Sequence, residues 1–170
     1  MLIYFAAPLF CQAEKAFNLQ LTSKLEERGF EVFLPQRDGV ETRKPPYNEM
    51  TSDELCQVIF AVDRDRILEA DIFLFVLDGR VPDEGACVEL GIAYGQKHLL
   101  QRSKLLIGLQ TDVRAAFAFL GAKLNPMVYG ALDTIADNEN DLIAALEDYR
   151  RARAEGRGSS QEKKGNRTAA

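Results

Sequence analysis

Ile72-Phe-Leu-Phe-Val-Leu77 is an unbroken apolar run of β-branched, aromatic and aliphatic side chains. A strand with one wet face alternates apolar with polar residues; a run without alternation reads as a strand buried on both faces of a parallel sheet. That choice constrains the rest of the chain, because parallel strands need crossover connections and a sheet covered on both sides needs helices on both sides. The sequence supplies them. Short apolar runs at 2–5, 31–34 and 105–109 read as further strands. Helical spacing over about 11–28 ends at Gly29, placed as the residue just past a helix. Thr51-x-x-Glu54 is a capping box for a helix running to about Glu69. Residues 86–96 and 141–153 complete the helical set, with a short helix at 113–120 and a small fifth strand at 127–129 in the less regular stretch between them. The expected fold is α/β, a doubly wound parallel sheet whose site lies at the carboxyl ends of the strands.

Residues 36–49, with Pro45, Pro46 and Gly39, continue neither element and read as a binding loop or lid. A chain of 170 residues fits one domain, assigned to 1–153. The remainder, 154–170, has no apolar periodicity and is expected to be a disordered basic tail. The formal charge of −5 is unevenly spread: from Arg150 onward there are seven Lys/Arg and two Asp/Glu, so residues 1–149 carry a net −10. An acidic body argues against binding a nucleic-acid polymer. No apolar stretch approaches the roughly 18 residues of a membrane span, and the first residues lack the basic flank of a signal peptide, so a cytoplasmic protein is expected. Cys11, Cys56 and Cys87 show no metal-ligand spacing and read as buried free thiols. His98, the single histidine, reads as a surface residue.

The chemistry concentrates after the central strand, in Val81-Pro-Asp-Glu-Gly-Ala-Cys-Val-Glu-Leu-Gly-Ile-Ala-Tyr-Gly-Gln96. At 100° per residue, Ala86, Leu90 and Ala93 share one arc and Ile92 flanks it, with Glu89 between Ile92 and Ala93. A carboxylate therefore interrupts the face that packs, and no Lys or Arg lies between Val81 and Gln96. Such a group finds a distant partner or serves chemistry. A salt bridge or a loop hydrogen bond is the ordinary structural alternative for Glu89, and a helix N-cap is that for Asp83. Together they form a pair of carboxylates in different environments, the arrangement that acid/base and nucleophilic chemistry at a sugar carbon needs.

Tyr4-Phe-Ala-Ala-Pro-Leu-Phe10, Gly29-Phe-Glu-Val-Phe-Leu-Pro35, Asp63 ahead of Ala70-Asp71, Pro82-Asp-Glu-Gly85, Glu89-Leu-Gly91 and Asn125-Pro-Met127 occur in the order and spacing that resembles the nucleoside 2-deoxyribosyltransferase family, over roughly residues 2–150. The resemblance implies a flavodoxin-like fold and exchange of the base on a 2′-deoxyribonucleoside. It implies Glu89 as the nucleophile toward C1′, forming a covalent deoxyribosyl-enzyme resolved by a second base with retention. Asp83 is implied as the acid and base at the nucleobase, and Tyr4 as the hydroxyl that holds the nucleophile. Asp63 is implied on the base side, where a surface ion pair is its ordinary alternative, and Gly85 among the substrate-binding positions. Asn125 and Met127 are implied to reach the 5′ end of the sugar across a subunit boundary, hence a homo-oligomer with shared sites; read locally, they are a turn and a core methionine. The 36–49 loop has no counterpart in the family pattern.

The implied partners are a 2′-deoxyribonucleoside and a free nucleobase, and the mechanism calls for neither metal nor organic cofactor. The competing readings are a 2′-deoxynucleoside 5′-phosphate N-hydrolase and a non-catalytic nucleoside-binding module of the same fold. The hydrolase wants a phosphate-binding loop after the first strand, which Ala6-Ala-Pro-Leu-Phe10 does not offer. A receiver domain would need an acidic pair after the first strand, and a dinucleotide site a G-x-G-x-x-G turn; both are missing.

Overall fold

The computed structural model describes residues 1–112 and 124–165, with side chains through residue 155. Strands β1 (Leu2–Ala6), β2 (Glu31–Phe33), β3 (Ile72–Val76), β4 (Leu105–Leu109) and β5 (Thr134–Ala136) form one sheet. Every pairing is parallel and the order is β2-β1-β3-β4-β5. The run at 72–77 is the middle strand, and every residue of β3 is buried. This is the doubly wound, flavodoxin-like arrangement.

Alternate residues of each strand feed two apolar layers. Ile3, Phe5, Leu74 and Ile107 pack beneath helices α1 (Gln12–Glu26) and α6 (Glu139–Gly165), which contribute Leu21, Leu25, Leu142 and Leu146. On the other face Tyr4, Phe73, Phe75 and Leu106 lie under α3 (Ser52–Glu69) and α4 (Glu84–Leu99), which add Ile67, Ala86, Leu90 and Ala93. At about 1.5–3 kcal/mol for each large side chain removed from water, these two layers supply most of the force that folds the chain.

Local chemistry sets the ends of the elements. Thr51 and Glu54 form the reciprocal capping box that opens α3. Gly29 takes a φ of +80°, a left-handed conformation in which a side chain is strained, while Phe30 N–H returns to the carbonyl of Leu25. At the far end of α3, Lys104 donates to the carbonyl of Ile67 and Gln96 to that of Leu68 at 2.7 Å. These two side chains, from the residue just before β4 and from α4, tie α3 to its neighbours by satisfying carbonyls that no helical N–H reaches.

Three expectations are corrected. The fifth strand is not at 127–129: those residues lie in helix α5 (Pro126–Ala131), started by Pro126 in its first turn and by Asn125, whose side chain accepts from Met127 N–H at 2.9 Å. The strand follows at Thr134–Ala136. The 36–49 stretch is not all loop, because Pro35–Asp38 forms a short helix, α2, and Tyr47–Glu49 a 3-10 turn. The cysteines are free but not buried: Cys11 and Cys56 are exposed and Cys87 is half-buried. Cys11 is exposed because it caps α1, its sulfur accepting from Glu14 N–H at 3.5 Å. Helix α6 runs on past residue 153 to Gly165. The helix expected at 113–120 lies outside the described residues. Among the described residues no helix is long and apolar enough to cross a membrane.

Candidate active site

The register of the sheet starts the site. Tyr4 on β1 is the direct partner of Phe33 on β2 and of Phe73 on β3, so three rings stand in a row on the α3/α4 face. The Tyr4 ring stacks at 5.7 Å on each neighbour, with interplanar angles of 21° to Phe33 and 8° to Phe73. Its ring is fully buried. Its hydroxyl donates to Glu89 Oε1 at 2.7 Å, linking the sheet to the second turn of α4.

Glu89 sits where the helical projection places it. Ala86, Leu90 and Ala93 are buried, Ile92 is half-buried, and the carboxylate shares that inward side. Among the described residues Glu89 has no ion pair, and its partner is a neutral hydroxyl from β1 rather than a salt bridge or a loop. Burial raises its pKa to about 7, helped by the nearby negative charges of Asp63 and Asp83 and opposed by the Tyr4 hydrogen bond. Burial, together with Glu89 and Asp63, also pushes the Tyr4 hydroxyl far above its ordinary value, so it remains a proton donor.

Asp83 is the N-cap of α4: Oδ1 accepts from Ala86 N–H at 2.8 Å. Among the described residues Oδ2 accepts no hydrogen bond, so capping occupies one oxygen and leaves the other. Gly85 lies against this cap, and a Cβ there would stand 3.2 Å from Asp83 Oδ1. Asp63, half-buried on α3, has no ion pair among the described residues, which corrects the surface-pair alternative; burial raises its pKa to about 6. Neighbouring Arg64 and Arg66 turn away from it to Asp65 and Glu69 at 2.7 Å.

Tyr4, Asp63, Asp83 and Glu89 thus share one electrostatic neighbourhood on one face of the sheet. Asn125 and Met127 do not join it through any contact among the described residues: Asn125 caps α5, and Met127, 82% exposed, is not a core methionine. His98 is exposed, its ring 4.2 Å from that of Tyr94. Among the described residues no group of three His, Cys, Asp or Glu could hold a metal ion. Sequence reasoning missed Phe33 and Phe73 as parts of the site; the signal was available only by aligning the three apolar runs in register. A partly desolvated carboxylate held by a neutral donor, with two further carboxylates close by, suits attack on a carbon that develops positive charge.

The fold agrees with the comparisons. The model of the nucleoside 2-deoxyribosyltransferase family matches residues 3–162, and the chain belongs to that family. Among solved structures it is similar to a conserved protein from Enterococcus faecalis V583, with a TM-score of 0.67, 24% identity, and coverage of 89% of this chain and 98% of that one. It is also similar to a 2-deoxyribosyltransferase from the psychrotolerant bacterium Bacillus psychrosaccharolyticus, with a TM-score of 0.64, 24% identity, and coverage of 84% and 90%. A 2-desoxiribosyltransferase from Leishmania mexicana has a TM-score of 0.58 and 20% identity, with coverage of 85% and 95%. At these identities the likeness is one of fold. No curated protein matches the chain.

Proposed function

We propose that the protein exchanges the nucleobase of 2′-deoxyribonucleosides through a covalent deoxyribosyl–Glu89 intermediate, with net retention at C1′. The observation that carries this reading is the 2.7 Å bond from the buried Tyr4 hydroxyl to Glu89, beside Asp63 and Asp83, with no ion pair to any of the three carboxylates among the described residues. Glu89 Oε attacks C1′ as the C1′–N bond breaks, and Asp83 passes a proton to the departing base. The incoming base then attacks C1′, the ester C–O bond breaks, and its proton returns to Asp83. Two inversions give retention. Tyr4 keeps one carboxylate oxygen oriented and spreads its charge, and the rising positive charge on the sugar is stabilised by the ionised carboxylate. Asp63 belongs to the base side, Gly85 to the substrate-binding positions, and Asn125 and Met127 to the 5′ end of a sugar in a neighbouring subunit of a homo-oligomer. The exposure of Met127 supports that last assignment.

The test is chromatography of the protein with one deoxynucleoside and a different free nucleobase. A new deoxynucleoside is expected, and none with Glu89→Ala, whose fold is checked by circular dichroism. Free deoxyribose as the sole product would establish the hydrolase instead, and no turnover at all would leave a binding module. Near-normal exchange by Glu89→Ala would remove Glu89 as nucleophile.

A further inference from the structure

Phe33 and Phe73 lie outside the catalytic cluster yet enclose its tyrosine from both sides. Parallel pairing puts the three residues in one row across β2, β1 and β3, and neighbouring strands hold the Tyr4 ring between two rings at 5.7 Å each. Beyond Phe73 the row continues to its register partner Leu106 on β4, and Phe75, two residues along β3, meets Phe73 edge-on at 6.3 Å. At the other end the Arg66 guanidinium lies 5.5 Å over Phe33. A tyrosine in this slot cannot swing about χ1 or tilt its ring without displacing an aromatic neighbour, so its hydroxyl can point along one direction only, and that direction leads to Glu89 Oε1 at 2.7 Å.

We infer that Phe33 and Phe73 are positioning residues: their stacked rings aim the Tyr4 hydroxyl and through it fix the carboxylate of Glu89. This rests on the assignment of Glu89 as nucleophile for its effect on turnover, but not for its effect on the titration of Glu89. The hydrogen bond from Tyr4 favours the ionised carboxylate, so a Tyr4 ring free to wander leaves Glu89 harder to ionise. Misplacement of a reacting group by about 1 Å can cost up to ~100-fold in rate.

The experiment uses Phe33→Leu, at the sheet edge where a lost ring disturbs the core least, with Phe33→Tyr as the variant that restores a stacking ring, and Phe73→Leu as a second probe. Two readouts are taken: exchange kinetics against pH, and the carboxyl titration of Glu89 by carbon NMR. Phe33→Leu is expected to lower kcat about tenfold with KM little changed, and to move the Glu89 titration upward by about half a unit. Phe33→Tyr should restore both. In a Tyr4→Phe background, Phe33→Leu should add nothing to either effect, as a residue acting through Tyr4 requires. An unchanged Glu89 titration in folded Phe33→Leu, or losses that simply add to those of Tyr4→Phe, would overturn the inference. If the wild-type protein exchanges no base while the Glu89 titration still moves as stated, the nucleophile assignment fails and the positioning holds.

Discussion

At the scale of single residues, the inward carboxylate of Glu89 sets a conflict between stability and chemistry. Its pKa in the fold, about 7 against an ordinary 4.5, means the folded state prefers the protonated form. Stability is therefore present below about pH 4.5 and is lost as pH rises toward 7, where the fold must hold a poorly solvated charge. Each unit is worth about 1.4 kcal/mol, and discounting for partial solvent access leaves about 2 kcal/mol. Glu89→Gln keeps the shape and the Tyr4 contact without the charge. It should melt together with the wild type at pH 4.5 and about 5 °C higher at pH 8, as measured by calorimetry. Equal melting temperatures at pH 8 would show that the charge is not strained. Asp83 divides differently, since one oxygen caps the helix and the other is left for chemistry. Asn caps as well as Asp, so Asp83→Asn should keep its stability while slowing base departure about 100-fold. Asp83→Ala should show the same kinetic loss and also lose about 1 kcal/mol in urea unfolding.

At the scale of elements, α3 and α4 matter most because each carries a carboxylate of the cluster, and each is held by its ends. The Thr51–Glu54 box starts α3, and Lys104 and Gln96 donate to the carbonyls of Ile67 and Leu68 in its last turn. Thr51→Ala should cost about 1 kcal/mol, read as a lowered urea midpoint with an unchanged slope, and leave the exchange rate untouched because Asp63 lies three turns further on. This element was legible before the fold was known: the box, the central strand and the inward placement of Glu89 all follow from local patterns. The stretch after Asn125 was misread because Met-Val-Tyr favours a strand by composition, whereas Pro126 and the Asn125 cap commit the backbone to a helix turn.

At the scale of the whole molecule, two helical layers close a five-stranded sheet, and the last helix completes one of them. Leu142 and Leu146 are fully buried. Arg150 stacks over Phe30 at 4.7 Å, and Arg153 reaches Asp71 at 3.2 Å and the carbonyl of Ser103 at 3.1 Å. These contacts anchor α6 before its charged extension begins. A chain ending at Ala154 should unfold cooperatively with a melting temperature within about 2 °C of the full chain, whereas Leu146→Ala should lose about 2–5 kcal/mol. A large loss on truncation would place part of the fold's support beyond residue 154.

The chain's periodicities determined by themselves that there is a buried parallel sheet, where α1 and α3 begin, and that a carboxylate faces inward on the helix after the central strand. Those properties are local, set by side-chain spacing and by caps within a turn or two. What local spacing left open, and only the tertiary structure decided beyond what the family resemblance implied, is how that carboxylate meets its partner. Tyr4 and Glu89 are 85 residues apart, and the two phenylalanines that clamp Tyr4 come from two other strands. Their meeting depends on strand order and register, which arise from the packing of the whole sheet and leave no mark in any single window of sequence.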